Sequence, residues 1–212
     1  MKHIYCISGF GADERLFANL NFCENNVHFI PWKIPERDET IERYARRMIE
    51  DVHHPNPVLM GLSFGGMMSI EMAKIISTEK IIMISSIKTW HEKPLYMRLA
   101  AKTHLNKIIP LRPYSFLERI ENYNLGVQSE EEKKLVREYR QHLNLQYNRW
   151  AIDQILNWEN DWYPKNLVHI HGGGDHIFPV KNIKADFIIP GGGHLMLMNK
   201  AEPINKILKT II

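Results

Sequence analysis

A serine inside a glycine-rich run carries the strongest chemical signal in the sequence. The run GLSFGG occupies positions 61–66, between an apolar segment at 57–62 and a stretch of helical periodicity that starts at Met67. A tight turn from strand to helix exposes a serine at the carboxyl edge of a sheet, and glycines two residues before and after it relieve the crowding of that turn. The helix that follows favours negative charge at its N-terminus. The pattern predicts that Ser63 is a nucleophile.

A serine hydroxyl needs a base to take its proton and a third group to orient that base. His194 follows the last apolar segment in a glycine-rich loop, and Asp175 follows the apolar segment at 167–171 through three glycines. Parallel strands bring such loops to one edge of the sheet, where Ser63 is also expected. We therefore predict that His194 is the base and Asp175 the orienting acid. Asp161 is the alternative to Asp175.

The segments that must position these residues read as a sheet with helices between its strands. Six apolar segments rich in Ile and Val have little alternation, which is typical of strands buried on both faces. They are 3–8, 27–32, 57–62, 80–85, 167–171 and 184–189. Segments of helical periodicity lie between most of them, for example at 40–53 and 67–76. His53 and His54, before a proline, are interpreted as a helix end. We predict an α/β fold with a mostly parallel, doubly wound sheet of about six strands.

The alternation of strand and helix stops between positions 88 and 163, where the periodicity is helical only. We expect helices at 95–109, 115–123 and 129–158, the third starting with a capping box of Ser129 and Glu132. This segment is interpreted as a helical insertion that lies over the sheet. The predicted organisation is a core of residues 1–87 and 163–212 with a helical cap at 88–162.

In these motifs the sequence resembles the α/β-hydrolase superfamily. The resemblance rests on GLSFG at 61–65, HGGGD at 171–175 and GGH at 192–194, and it covers the predicted core. It implies that SGFG at 8–11 is the oxyanion loop, although Ser8 stands where a histidine often occurs. It also implies that the backbone N–H groups of Phe10 and Phe64 bind the oxyanion, and that the cap roofs the pocket and selects the substrate.

The resemblance also sets an expectation for the size of the sheet. Because the sequence starts at the strand before the oxyanion loop, we expect a trimmed member of the superfamily, without the two antiparallel strands that usually open this fold.

The walls of the substrate pocket are predicted from their neighbours in the sequence. Gly9 and Gly11 belong to the oxyanion loop, Met196 adjoins His194, and Trp90 is one of several aromatic residues of the cap. Such aromatic residues more often pack cap against core than line a pocket. A mainly apolar wall suits an uncharged acyl or alkyl group.

Eleven histidines make a metal site worth testing against the sequence. HIH at 169–171, followed by Asp175 and His176, is similar to the zinc motif of metallo-β-lactamase-like hydrolases. The spacing differs by two residues, and no second group of ligands completes a site. We expect no metal and no cofactor. Cys6, inside a predicted strand, is interpreted as a small core residue.

Composition excludes several classes of protein. The chain has 212 residues and a net charge of +3, from 27 basic and 24 acidic residues, and no run of Lys or Arg exceeds two. A nucleic-acid or anionic-membrane surface needs a denser basic patch. The two cysteines are not a disulfide framework, the N-terminus lacks a signal-peptide core, and no apolar run approaches the roughly 20 residues of a membrane span. We expect a cytoplasmic protein.

Together these features predict a serine hydrolase that cleaves a carboxylic ester or related acyl bond of a small molecule. Two alternatives stay open. A thioesterase or acyltransferase would use the same triad with a different leaving group or acceptor. A ligand-binding protein of the same fold would hold a similar molecule without turnover.

Overall fold

A parallel sheet of six strands forms the centre of the computed structural model, which describes residues 1–103, 118–141 and 144–212. The spatial order is β2-β1-β3-β4-β5-β6, and every neighbouring pair is parallel. The strands are β1 (His3–Ile7), β2 (Asn26–Phe29), β3 (Val58–Leu62), β4 (Lys80–Ile84), β5 (Leu167–Gly172) and β6 (Phe187–Ile189). The predicted parallel α/β sheet of six strands is confirmed.

Helices cover both faces of this sheet. They are α1 (Ile41–Ile49), α2 (Phe64–Ala73), α3 (Leu95–Thr103), α4 (Glu118–Leu125), α5 (Glu130–Gln141), α6 (Leu145–Asn157) and α7 (Ala201–Ile211). Along β1, Tyr5 and Ile7 pack into the core on the side of α1 and α2, whereas Ile4 and Cys6 pack on the side of α7. The sheet is therefore doubly wound, and Cys6 is a core residue as predicted.

Helices α3 to α6 follow β4 and precede β5, where the sequence predicts a helical insertion. Both hydrogen bonds of the predicted capping box are present: the Ser129 Oγ accepts from the Glu132 N–H, and the Glu132 carboxylate accepts from the Ser129 N–H, each at 3.2 Å. The boundaries of a separate cap at 88–162 stay a prediction.

The structure corrects two predicted helices. The helix expected at 129–158 is two helices, because Asn144 caps α6 by accepting a hydrogen bond from the Tyr147 N–H at 3.0 Å. The helix expected to run to His54 ends at Ile49, where the amides of Asp51 and Val52 form tight turns instead. The helices predicted at 95–109 and 115–123 lie partly outside the described residues. No helix within the described ranges is long and apolar enough to cross a membrane.

Close packing between α2 and the sheet depends on glycines. A Cβ on Gly65, in the first turn of α2, would collide with the carbonyl oxygens of Ile7 and Ser8 at the end of β1. A Cβ on Gly61, at the end of β3, would collide with the backbone of Gly65. The backbones of α2, β1 and β3 therefore approach more closely than any side chain would allow.

The first prediction concerns this close approach. We expect Gly65→Ala to lower the free energy of unfolding by about 3 kcal/mol, because the added methyl meets backbone atoms that cannot rotate away. The matched control is Gly173→Ala, whose Cβ would meet its nearest atom at 3.4 Å. Urea unfolding midpoints measure both variants. Equal stability of the two variants would contradict the packing described.

Candidate active site

Ser63 occupies a strained backbone position between β3 and α2. Its φ of 53° and ψ of −118° lie outside the regions that L-residues ordinarily adopt. Hydrogen bonds hold it there: the Ser63 N–H donates to the Ile84 carbonyl at 2.9 Å, and the Ser63 carbonyl accepts from the Gly66 N–H at 2.9 Å and the Ser86 hydroxyl at 2.6 Å. The side chain is thereby held at the carboxyl edge of the sheet.

His194 lies within hydrogen-bond distance of both other residues of the predicted triad. The Nε2 of His194 is 2.8 Å from the Ser63 Oγ, and its Nδ1 is 2.8 Å from the Asp175 Oδ2. The loops after β3, β5 and β6 supply one residue each, and all three residues are buried. Asp161, the alternative acid, lies instead in a groove beside Glu71 and Lys74.

Backbone donors hold the Asp175 carboxylate. Its Oδ1 accepts from the N–H groups of Ile177 and Phe178, at 2.8 and 2.9 Å. Burial alone would raise the pKa of Asp175, but the adjacent His194, the Phe178 N–H and His171 together bring that pKa below its usual value. Asp175 is therefore ionised at neutral pH and accepts a hydrogen bond from the His194 Nδ1–H.

The predicted oxyanion loop is anchored beside Ser63. The Ser8 hydroxyl donates to the Ala12 carbonyl at 2.6 Å, and the Trp32 indole N–H lies 3.0 Å from both the Ser8 Oγ and the Gly9 carbonyl. The Ser8 hydroxyl thus forms a hydrogen bond within the loop, and Trp32 connects the loop to the chain after β2. A Cβ on Gly9 would be 3.6 Å from that of Ser63, so the loop runs directly past the serine.

The two backbone donors assigned to the oxyanion belong to residues near Ser63: Phe64 follows it in the sequence, and Phe10 follows Gly9, which runs past the serine. Phe10 lies in the anchored loop, and Phe64 is the first residue of α2. Among the hydrogen bonds of the described residues, neither the Phe10 N–H nor the Phe64 N–H has an acceptor. Both groups are therefore free to bind an oxygen that develops negative charge near Ser63.

A cavity of about 380 Å³ opens above Ser63 and His194. Gly9, Phe10 and Gly11 line it, as the sequence predicts for the oxyanion loop. Its other walls are mainly apolar and come from the helices after β4 and the loop after β5: Met97, Leu125, Val136, Tyr139, Ile155, Ile177 and Phe178. Two charged residues, Glu121 and Arg140, also line it, and they pair with each other at 2.9 Å. The cavity thus presents a mainly apolar wall whose two charges are paired.

Two predicted pocket residues lie elsewhere. Met196 is fully buried in the core on the side of α7, because the chain turns inward after His194. Trp90 lines a separate groove, where the Arg98 guanidinium lies 5.6 Å from the centre of its ring. Neither residue lines the cavity above Ser63. Helical periodicity identifies an apolar stripe, but it does not tell which stripe faces the serine, so it does not predict that Ile155 lines the cavity.

The loop that carries His194 is joined to α4 through a contact between two glycines. A Cβ on Gly126, which follows α4 with a φ of +73°, would be 2.6 Å from the Gly193 Cα. On either side, the Leu195 N–H donates to the Leu125 carbonyl at 2.9 Å, and the Asn199 side chain donates to the Gly126 carbonyl at 3.1 Å. The end of α4 and the loop that carries His194 are therefore in direct backbone contact.

A pair of buried histidines lies behind Asp175. The Nε2 of His171 is 2.8 Å from the Phe178 carbonyl and 3.7 Å from the Asp175 Oδ2, and its Nδ1 is 3.2 Å from the His169 Nε2. His176 stacks instead on Tyr123. The residues of the zinc-like motif therefore take separate hydrogen-bonding and stacking roles, and they do not converge as one ligand group among the described residues.

Burial lowers the pKa of both His169 and His171. For His169 the neighbouring His171 and Lys88 lower it further, whereas for His171 the Asp175 carboxylate opposes the effect of burial. Both imidazoles are therefore neutral in the folded protein at neutral pH.

The second prediction is a loss of stability on mild acidification. Unfolded histidines take up protons near pH 6.5, whereas folded His169 and His171 do so only at lower pH, so the unfolded state binds more protons and unfolding becomes easier as the pH falls from about 7 to about 5. Each histidine that stays neutral contributes a slope of up to about 1.4 kcal/mol per pH unit. Asp175 adds no slope here, since its lowered pKa makes its contribution disappear only at more acidic pH.

Urea unfolding at several pH values measures this slope. We expect His171→Gln to reduce it, because a glutamine can keep the hydrogen bond to the Phe178 carbonyl but does not titrate. His91→Gln, at an exposed histidine, should keep the wild-type slope. A stability that is constant or rises on acidification would contradict the prediction.

Comparison with solved structures identifies the fold of the chain. No protein-family model and no curated protein matches the sequence. Among solved structures the chain is similar to a thermophilic esterase from Thermogutta terrifontis, with 17% identity and a TM-score of 0.69 over 99% of this chain and 89% of that chain. A bromoperoxidase from Bacillus anthracis has 15% identity and a TM-score of 0.69, over 99% of this chain and 91% of that chain. An α/β-hydrolase fold protein from Burkholderia ambifaria has 13% identity and a TM-score of 0.71, over 98% of this chain and 89% of that chain. These similarities confirm the predicted α/β-hydrolase fold.

Proposed function

We propose that this chain, which has the α/β-hydrolase fold, is a serine hydrolase that cleaves a carboxylic ester or related acyl bond. The observation that carries the proposal is the position of His194, with one ring nitrogen 2.8 Å from the Ser63 hydroxyl and the other 2.8 Å from the Asp175 carboxylate. This is the arrangement in which a histidine can activate a serine and be oriented by an acid.

The proposed reaction has two halves. The Ser63 Oγ attacks the substrate carbonyl while the His194 Nε2 takes its proton, and Asp175 stabilises the resulting imidazolium. The tetrahedral intermediate collapses, the His194 proton passes to the leaving alcohol, and an acyl group stays on Ser63. Water then attacks the acyl group with His194 again as base, which releases the acid and restores the Ser63 hydroxyl.

The oxyanion of each tetrahedral intermediate is assigned to the Phe10 and Phe64 N–H groups. Phe64 begins α2, so the helix dipole adds to the attraction for negative charge at this point. The Trp32 and Ser8 hydrogen bonds hold the other donor in place before substrate binds. Each such preorganised donor typically stabilises the transition state by about 3 kcal/mol.

The cavity supports a small substrate with an uncharged, apolar acyl or alkyl group. Its walls are mainly apolar, and the pairing of Glu121 with Arg140 leaves no net charge on that side of the lining. Two structural neighbours also support an ester substrate: one from Thermogutta terrifontis is described as an esterase, and one from Acinetobacter baumannii as a putative lipase. A thioester substrate would use the same residues, and parallel assays of oxygen and thiol esters separate the two.

The third prediction tests the nucleophile. A fluorophosphonate should add one equivalent to the wild-type protein, seen by intact-protein mass spectrometry, because an activated serine attacks its phosphorus. Ser63→Ala should show no adduct, whereas Ser77→Ala, at an exposed serine outside the site, should label like wild type. Undiminished labelling of Ser63→Ala would overturn the assignment. No labelling of a folded wild-type protein would favour ligand binding without turnover.

The fourth prediction tests the acid. We expect Asp175→Asn to lower kcat for a short-chain p-nitrophenyl ester by about 10⁴-fold, because the amide neither stabilises the imidazolium nor holds the correct tautomer. Asp161→Asn is the control and should keep the wild-type rate. A large loss in Asp161→Asn with none in Asp175→Asn would reverse the assignment.

A further inference from the structure

Three histidines come together at the edge of the sheet opposite Ser63. His3 is the first residue of β1, His28 lies in β2, and His54 lies in the connection between α1 and β3. In the register of the sheet His28 is beside Tyr5, two residues along β1 from His3, so the side chains of these three residues share one face. Because β1 lies between β2 and β3, the sheet order brings together histidines that are far apart in the sequence.

The ring nitrogens are close enough to bind one ion. One nitrogen from each histidine lies within 4.8 Å of the other two, and the Nδ1 of His3 is 3.0 Å from the Nε2 of His28. The His54 ring stacks on that of His3 with centroids 3.4 Å apart. Nitrogens bound to one tetrahedral ion at 2.0–2.1 Å are about 3.3 Å from each other. A bound ion would replace the hydrogen bond between His3 and His28, and the stacked His3 and His54 rings would turn so that all three lone pairs point to the ion.

Tyr5 can orient one of these ligands. Its Oη is 2.7 Å from the His54 Nδ1 and accepts a hydrogen bond from the His53 N–H at 3.0 Å, while its ring stacks on His28. A histidine that donates its Nδ1–H to such a partner presents its Nε2 lone pair to a metal. Tyr5 is itself buried, so this partner is fixed by the core.

The surroundings of the group also suit a metal. All three rings are partly buried, which leaves one side of the group open to solvent. Neutral imidazoles are the ligands that Zn²⁺, Cu²⁺ and Ni²⁺ bind well.

We propose that His3, His28 and His54 bind one divalent transition-metal ion of this class, with water in the remaining position. The ion joins β1, β2 and the segment before β3, and so fastens the edge strand β2 to the middle of the sheet. The five residues of β1 separate this group from the serine edge by roughly 16 Å. The site is therefore independent of the proposed hydrolase chemistry, and its role is to stabilise the fold.

Titration of metal-free, tag-free protein with Zn²⁺ in a calorimeter tests the proposal. We expect one equivalent to bind to the wild type, and His28→Gln to weaken binding by at least about 100-fold, since loss of a ligand exceeds the 10- to 100-fold effect of an outer partner. The matched control is His53→Gln, which changes the exposed histidine next to His54 and should bind as wild type. Tyr5→Phe should weaken binding by about 10-fold.

Two further measurements keep the result unambiguous. Zn²⁺ should raise the Tm of wild type and His53→Gln but not of His28→Gln, because an ion that binds only the folded state stabilises it. With Cu²⁺, electron paramagnetic resonance should show coupling to imidazole nitrogens in the wild type that is reduced in His28→Gln. If His28→Gln does not fold, His54→Gln, in a connecting segment, takes its place. Absence of stoichiometric binding to the wild type, or unchanged binding in the histidine variants, would overturn the proposal.

Discussion

The contact of α2 with β1 and β3 sets the geometry on which the candidate site depends. Because no side chain fits at Gly61 or Gly65, the helix starts directly above the strand ends, and the residue between β3 and α2 must adopt a left-handed φ. That residue is Ser63. The same contact places the first amide of α2 beside the loop that leaves β1. One steric constraint therefore positions the proposed nucleophile and both proposed oxyanion donors together.

Around this rigid turn, buried hydrogen bonds hold the remaining polar groups. Asp175 is fixed by two backbone amides and by His194. Behind it, the layer of buried polar side chains continues through His171 to His169. Such a layer is costly to bury unless its members are paired, so it selects one arrangement of the loops after β5 and β6. The cavity walls, by contrast, are mainly apolar and offer few hydrogen-bond partners to what lies between them.

Much of the fold, and the meeting of Ser63, Asp175 and His194 at one edge of the sheet, could be predicted from the sequence, because strand-to-helix turns and parallel strand ends obey local rules. The walls of the cavity could not. Met196 is near His194 in the sequence and Trp90 is in the predicted cap, but neither lines the cavity. The face that a helix between β4 and β5 turns toward the serine depends on packing between distant segments. The contact of Trp32 with the loop after β1, and the grouping of His28 with two other histidines, depend on the order of the strands. Periodicity does not specify that order.

The contact between Gly126 and Gly193 ties two parts of the molecule that would otherwise have separate degrees of freedom. The end of α4 lines the cavity with Leu125, and the backbone next to it carries His194, the proposed base. A rigid-body displacement of α4 would pull on His194 and lengthen its 2.8 Å contacts. The end of α4 therefore cannot move as an independent lid while Ser63, His194 and Asp175 keep their contacts.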